Sequence, residues 1–107
     1  MIRGAVYPID LGDTKRGHEQ RGRRLGHVIS IEQDAWSTVT VLPTSTSAQA
    51  SVFSPEFVIA GRETKVLIDQ VRTIDVSYIA GDLVGYLSRD DMAQVEHSLS
   101  SYFGLPR

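Results

Sequence analysis

The sequence contains no cysteine in its 107 residues. This absence excludes disulfides, thiolate metal ligands and cysteine nucleophiles, and it weakly favours a cytoplasmic location. Only three histidines occur, at positions 18, 27 and 97, and their spacing does not match that of a metal site. We therefore expect neither a bound metal ion nor another cofactor.

Long hydrophobic runs are also missing. No stretch approaches the roughly 20 apolar residues that a membrane-spanning helix requires, so we expect no membrane segment. The first residues show no apolar signal core, which favours the cytoplasm over secretion. A chain of this length is typical of one domain, and we expect a single domain over residues 1–107.

Two widespread motifs are absent too. The sequence holds neither a Walker phosphate-binding loop nor the Gly-x-Ser-x-Gly turn of the α/β-hydrolases. A Ser/His/Asp triad stays open, because its members meet only in the folded protein. The neighbouring carboxylates Asp90 and Asp91 fall in the first turn of a predicted helix. Negative charges at this end of a helix interact favourably with its dipole, so we expect a role in capping the helix and not in catalysis.

Short β-branched runs fill most of the chain. They predict strands over residues 5–11, 26–32, 37–43, 57–60 and 64–68, a turn at 61–63, and shorter strand candidates at 70–74 and 85–87. Because no strand–helix–strand crossover pattern occurs, a Rossmann-type nucleotide site is not expected. The pattern favours a mainly β protein with some α-structure: a small, SH3-like antiparallel β-barrel with a C-terminal helix.

The predicted helix has clear start and stop signals. Ser88, with Asp91 three residues later, resembles a capping box, and Gly104 and Pro106 are typical of a helix end. The apolar residues between these signals recur at helical spacing: Met92, Val95, Leu99 and Phe103. We predict a helix over residues 89–103 whose apolar stripe is buried against the sheet.

Residues 16–24 form a polar segment with four arginines, one carboxylate, one carboxamide and two glycines. Residues 1–24 carry a formal charge of +3 and residues 25–107 one of −5, so the positive charge is local. Arginine side chains match phosphate oxygens, and glycine lets a ligand approach the backbone. We predict a local anion site here, with a solvated hairpin tip as the alternative.

Three further polar residues are candidate site residues. Thr44 follows Pro43 at a predicted strand end, so an exposed hydroxyl there could donate to a phosphate oxygen; a turn-capping threonine is the alternative. Gln70 and Arg72 flank Val71 and are predicted to share one sheet face, unless they are surface decoration.

Several short motifs follow one another in a recognisable order. They are Arg3-Gly4-x-Val6-Tyr7, Asp10-Leu11, Gly17-His18-Glu19-Gln20-Arg21-Gly22-Arg23-Arg24, Val28-Ile29-Ser30, Pro43-Thr44, the run from Leu67 to Ile74, and Gly85-Tyr86-Leu87 with its helix. Each motif is weak alone. Together they cover nearly the whole chain, which resembles the MazF/PemK family of bacterial toxins, the endoribonuclease halves of toxin–antitoxin pairs.

The resemblance implies a sequence-specific, metal-independent endoribonuclease that cleaves single-stranded messenger RNA to 2′,3′-cyclic phosphate and 5′-hydroxyl ends. The family's loop arginine aligns with Arg24 and its strand-end Thr or Ser with Thr44. We expect Glu19 to accept a proton or to orient Arg24, with a loop-holding ion pair as the alternative. The expected substrate-binding residues are Gln20, Arg21, Arg23, Gln70 and Arg72.

The resemblance also implies a homodimer that binds RNA across its interface and is neutralised by a cognate antitoxin protein. One departure from the family pattern stands at the exit of the loop. A proline usually follows the loop arginine, whereas Leu25-Gly26-His27 follow it here, so we expect a less restricted backbone at this point.

Two other functions stay open. One is a toxin of the same fold that poisons gyrase through protein–protein contact, although such toxins lack the loop motif present here. The other is a catalytically inactive small-barrel binding module, against which Arg24 and Thr44 both argue.

Overall fold

The computed structural model of the protein describes residues 2–12, 22–31 and 37–106. This part of the chain forms seven strands and one α-helix: β1 (Ala5–Asp10), β2 (Arg23–Val28), β3 (Thr38–Ser45), β4 (Glu56–Ile59), β5 (Arg62–Val66), β6 (Arg72–Asp75), β7 (Gly85–Tyr86) and α1 (Arg89–Phe103). Two single 3-10 turns, at Ile68–Gln70 and Val76–Tyr78, flank β6. The predicted mainly β architecture with a C-terminal helix is confirmed.

The sheet is antiparallel, and its strands lie in the order β4-β5-β3-β2-β1-β7. Strand β3 is the centre of this arrangement because it pairs with three strands in succession. Its first half pairs with β6, its middle with β2, and its last two residues, Thr44 and Ser45, with β5. A bridge between Ile9 and Ile79 brings the segment after β6 back to β1, so the sheet curls into a nearly closed barrel.

Alternation along the strands supplies two buried apolar clusters. One lies between the sheet and α1 and includes Val6, Leu42, Ile68 and Val95. The other fills the barrel interior and is formed by Ile9, Leu11, Val28, Val39, Val41 and Ile74. Because Val41 and Leu42 are adjacent in β3, their side chains point to opposite faces and each joins a different cluster. Both faces of β3 are therefore buried.

The helix begins and ends where the sequence predicts. The Oγ of Ser88 accepts a hydrogen bond of 3.1 Å from the backbone N–H of Asp91, and Gly104 takes the left-handed conformation with φ 66°. The predicted burial of Phe103 is wrong, because its side chain is 55% exposed. Tyr102 instead turns toward the body of the protein and meets Phe53 edge-to-face at 5.4 Å.

The strand boundaries differ from prediction in three places that matter for the site. Strand β2 begins at Arg23, three residues early, because Arg23 and Arg24 pair with Asp10 and Ile9 of β1. Strand β3 continues through Ser45, so Thr44 lies within it. Strand β5 begins at Arg62, since the turn before it consists of Ala60 and Gly61 alone.

Candidate functional site

A cleft of about 380 Å³ opens where the start of β2, the end of β3 and the β4–β5 turn meet. Its charged lining residues are three arginines: Arg23, Arg24 and Arg62. Its hydroxyl-bearing lining residues are Thr44, Ser45, Thr46 and Thr64. The described lining contains no carboxylate. Such a lining favours an anionic ligand.

The cleft exists because β2 and β3 separate at Pro43. The paired register of these strands ends at Gly26 and Pro43, and β3 then pairs with β5 through Thr44 and Val66. Pro43 has no N–H to donate, and its carbonyl accepts from the N–H of Leu67 at 2.9 Å, on the side away from β2. The first residues of β2 thus face an open space.

Side-chain bonds hold the two strands together beyond the last backbone pair. Arg24 Nη1 donates to the carbonyl of Thr44 at 3.1 Å, and Thr44 Oγ1 donates to the carbonyl of Leu25 at 2.8 Å. In one of these bonds β2 is the donor, and in the other β3 is the donor. The guanidinium of Arg24 is therefore fixed at the mouth of the cleft by a backbone atom of Thr44.

Thr44 is buried, with 4% of its surface exposed. The expectation that it is exposed is wrong, because β3 does not end at Pro43 but continues alongside β5. Its hydroxyl proton already serves the carbonyl of Leu25. Donation to a phosphate oxygen would require a rotation of the side chain away from that carbonyl.

Arg62 forms the opposite side of the cleft, and the sequence did not single it out. The sequence predicts a turn at this position, whereas Arg62 is the first residue of β5 and pairs with Ile59 across the hairpin. The alternation of inward-facing and outward-facing residues from Arg62 onward is the sequence signal that could have identified it as a strand residue. Arg62, Thr64 and Val66 share one strand face, and both Thr64 and Val66 are buried.

Comparison with known proteins identifies the family of the chain. Residues 2–103 match the family model described as PemK-like, MazF-like toxin of type II toxin-antitoxin system. The chain belongs to this family. It is a toxin of a type II toxin–antitoxin system of the MazF/PemK kind.

Sequence and structure comparisons give consistent relatives. A protein of Mycobacterium tuberculosis named as a candidate toxin is 59% identical over 105 residues, which cover 98% of this chain and 99% of that protein. MazF of Deinococcus radiodurans has a similar structure, with a TM-score of 0.82 at 24% identity over 98% of this chain and 97% of that one. The Mycobacterium tuberculosis toxin MazF-mt6 gives 0.80 at 18% identity over 96% and 99%.

A third solved structure is an endoribonuclease from a mycobacterial species in complex with its cognate antitoxin. Its TM-score is 0.78 at 19% identity, and the match covers 100% of this chain and 98% of that chain. At this level of identity these structural likenesses establish the fold. The MazF-like barrel predicted from the sequence is confirmed.

The site residues expected of this MazF-like toxin have different outcomes. The structure brings Arg23, Arg24 and Thr44 together at one cleft. Gln70 and Arg72 do not line it. Their predicted common face is also wrong, because Gln70 ends a 3-10 turn and only Arg72 belongs to a strand. Three expected residues lie outside the described part of the chain: Glu19, Gln20 and Arg21.

Arg23 is held less firmly than Arg24. Its Nε lies 3.7 Å from Asp10 Oδ2, and 78% of its side chain is exposed. An ion pair this exposed contributes little to stability. Arg23 can therefore exchange Asp10 for another anion with little effect on the fold.

The residues that replace the family's usual proline lie in β2 and not in a loop exit. Leu25 and Gly26 pair with Pro8 and Tyr7 of β1. The expectation of a less restricted backbone at these residues is therefore wrong. Gly26 is needed for packing. A Cβ there would lie 2.8 Å from Cδ1 of Ile9, which is closer than two carbon atoms approach in folded proteins.

His27 follows Gly26 but belongs to the core beneath α1. It is fully buried, and its Nε2 lies 3.0 Å from Sδ of Met92. Its Nδ1 finds no hydrogen-bond partner among the described residues. Burial, with a smaller effect of the Arg3 charge, lowers the pKa of His27 to about 4. His27 is therefore neutral near pH 7 and does not line the cleft.

No helix formed by residues 2–12, 22–31 and 37–106 is both long and apolar enough to cross a membrane. No group of three His, Asp or Glu side chains there is placed to hold a metal ion.

Proposed function

We propose that this toxin is a sequence-specific endoribonuclease that cleaves single-stranded messenger RNA without a metal ion. The observation that carries the proposal is the cleft in which Arg24 is bonded to the end of β3, beside Thr44, within a described lining that has arginines and no carboxylates. A phosphodiester is the anion that fits, because arginine donates two parallel hydrogen bonds to its oxygens.

The proposed reaction is an internal transfer. The 2′-oxygen of the RNA attacks the adjacent phosphorus, and the bond from phosphorus to the 5′-oxygen breaks. One group accepts the proton of the 2′-hydroxyl, and another gives a proton to the leaving 5′-oxygen. The products are a 2′,3′-cyclic phosphate and a 5′-hydroxyl, and no other reactant is consumed.

Arg24 is the proposed stabiliser of the pentacoordinate intermediate, which carries one more negative charge than the substrate phosphate. Its guanidinium is permanently charged and offers several N–H donors in a planar group. The bond to the Thr44 carbonyl holds that group in place before the substrate arrives, so that little reorganisation is needed during reaction. The same permanent charge makes Arg24 a poor proton acceptor.

Thr44 is the proposed second donor to a non-bridging phosphate oxygen. This role requires its hydroxyl to turn from the carbonyl of Leu25 to the substrate. For proton acceptance we propose Glu19, five residues before Arg24 in the sequence. Further RNA contacts are proposed for Gln20, Arg21, Arg23, Gln70 and Arg72.

Gln70 and Arg72 lie outside the cleft of their own chain, so their contacts require an RNA path longer than one cleft. We propose a homodimer with RNA laid across both subunits, where bases are read by stacking and edge contacts. Light scattering at micromolar concentration should give twice the mass of one chain. A monomer mass with full cleavage activity would contradict the dimer.

A cytoplasmic antitoxin is the proposed inhibitor. The solved mycobacterial endoribonuclease is in complex with its cognate antitoxin, and the same pairing is proposed here. An acidic, disordered antitoxin segment could place carboxylates on Arg21, Arg23 or Arg24 and so exclude RNA. A competition titration with non-cleavable RNA tests this, since simultaneous binding of both ligands at full affinity would rule it out.

Cleavage itself is tested on a long RNA of mixed sequence with the purified protein, with and without EDTA. We expect equal cleavage at a short recurring motif in both samples, with cyclic phosphate and 5′-hydroxyl ends. A 2′-deoxy substitution at the mapped site should abolish cleavage there. Loss of activity in EDTA that Mg²⁺ restores, or cleavage of the 2′-deoxy substrate, would overturn the proposal.

A further inference from the structure

We propose that Arg62 and the β4–β5 turn form a second phosphate subsite, which binds the RNA phosphate next to the one that is cleaved. This inference rests on the proposed ribonuclease function and extends it to residues that no sequence motif singled out. The cleft has the volume of a ligand pocket, about 380 Å³, and can hold more than one phosphate group.

The two sides of the cleft come from different strands. Arg23 and Arg24 stand at the start of β2, and Arg62 stands at the start of β5. The end of β3 lies between them, because Thr44 is next to Leu25 on one side and pairs with Val66 on the other. A single phosphate bound to Arg24 would leave Arg62, on the β5 side of the cleft, without a bound anion.

The charges of the β4–β5 hairpin are sorted between its two faces. Arg62 lies on the face that carries Thr64, toward the cleft. Glu63 and Lys65 alternate onto the opposite face, where Glu56 forms an ion pair of 2.8 Å with Lys65. Both carboxylates of the hairpin are thus directed away from the cleft, and its arginine is directed into it.

The side chain of Arg62 has no hydrogen bond or ion pair with any described residue. By contrast, Arg3 pairs with Glu96 at 2.7 Å and Arg23 approaches Asp10. The carbonyl of Arg62 accepts from Thr64 Oγ1 at 3.0 Å, which fixes the backbone beneath the side chain. A cation on a fixed backbone beside a cleft favours binding an external anion.

The turn before Arg62 has only two residues. Ala60 and Gly61 both have positive φ, 53° and 77°, as in a two-residue hairpin turn. Alanine rarely adopts this conformation, and such strain is frequent at ligand-binding sites. The tight turn lets β4 and β5 stay paired up to Ile59 and Arg62, so Arg62 is placed by the sheet and not by a long loop.

The test measures binding of a short RNA that contains the mapped cleavage motif and a single 2′-deoxy nucleotide at the cut site. Neutral methylphosphonate groups replace its phosphates one at a time. Arg62→Gln removes the charge, Arg62→Lys keeps it, and Arg89→Gln removes the same charge at the exposed start of α1, away from the cleft.

We expect Arg62→Gln to weaken binding about tenfold, in keeping with one charged hydrogen bond, and to reduce the salt-dependence slope by about 0.7. Arg62→Lys should recover part of the affinity, and Arg89→Gln should bind like the wild type. Neutralising one phosphate beside the cut site should weaken wild-type binding equally, with no further effect in Arg62→Gln.

The two proposals fail in different ways. If the wild-type protein neither binds nor cleaves RNA, the ribonuclease function and the subsite are both overturned. If the wild type cleaves but Arg62→Gln binds like Arg89→Gln, only the subsite is overturned. An equal loss of binding for every neutralised phosphate would also contradict it. A melting temperature unchanged from the wild type shows that Arg62→Gln acts on binding and not on folding.

Discussion

The two halves of β2 differ in burial and in the strands they pair with, although they belong to one short strand. Its first half, Arg23–Leu25, pairs only with β1 and borders the cleft. Its second half, Gly26–Val28, pairs with β3 along its whole length, pairs with β1 through Gly26 and His27, and is buried. The buried half anchors the strand, and the bordering half carries the cations. The backbones of Arg23 and Arg24, two of the arginines proposed to bind RNA, are therefore positioned by the barrel, which reduces the entropy lost on binding.

The largest expected effect concerns the bordering half. Arg24→Ala should lower RNA cleavage at least ~100-fold, since one transition-state donor contributes about 2.7–4 kcal/mol. Arg24→Lys should recover little, because a lysine cannot reproduce the planar donor pair. Cleavage rates at saturating RNA measure the effect, with Arg89→Ala as the control. An Arg24→Ala variant that cleaves at nearly the wild-type rate would remove Arg24 from the mechanism.

In the buried half, His27 should make stability depend on pH. Its pKa in the folded protein, about 4, lies below the ordinary value of 6.5, so the unfolded chain binds a proton first as the pH falls. The contribution of His27 to stability should be constant above pH 6.5, fall by about 3 kcal/mol between pH 6.5 and 4, and level off below. Urea unfolding of wild type and His27→Leu across this range measures the difference, and parallel curves would contradict the burial of a neutral histidine.

Thr44 is bonded to Arg24 and Leu25 in the bordering half, and two of its substitutions should separate its roles. Thr44→Val keeps the shape and removes the hydroxyl, so cleavage should fall about 100-fold as for loss of one donor. It should also lose about 1 kcal/mol of stability with the bond to the carbonyl of Leu25. Thr44→Ser keeps the hydroxyl and should retain most activity. Equal rates for Thr44→Val and Thr44→Ser would show that the hydroxyl takes no part.

The smallest expected effect is at the boundary between the halves. Gly26→Ala should destabilise the fold by about 1–3 kcal/mol, because its Cβ would meet Cδ1 of Ile9. Ile9→Val, which removes that atom, should recover part of the loss in the double variant. Gly85→Ala is the control, since a Cβ there meets nothing within 4 Å. Thermal unfolding of the four proteins gives the comparison, and equal melting temperatures for both alanine variants would refute it.

The features that local chemistry determines were predictable from the sequence. The helix bounds follow from Ser88 and Gly104, whose capping roles need only near neighbours. The opposite orientation of Val41 and Leu42 follows from strand alternation. Arg24 was identified through a family motif, and the structure places it at the cleft.

The features that depend on distant pairing were not predictable. The burial of Thr44 arises from β5, some twenty residues further along the chain, and no local pattern reveals which strand will cover it. Arg62 was assigned to a turn because the sequence does not show that Ala60 tolerates a positive φ. The start of β2 was not predictable either, because its arginines have the composition of a polar loop. Arg23 and Arg24 are in a strand because they pair with Asp10 and Ile9 of β1.

The succession of partners along β3 has a consequence for the order of folding. The lining of the cleft includes residues 23–25 and 44–46 together with Ile59, Ala60, Arg62 and Thr64, and β3 cannot complete its pairing until β5 and β6 have followed. Such pairing joins segments far apart in the chain and is a slow step for a small domain. A growing chain that has left the ribosome only as far as β3 has Arg23 and Arg24 but neither Arg62 nor the cleft, so the newly made toxin gains its binding site only after β5 has been made.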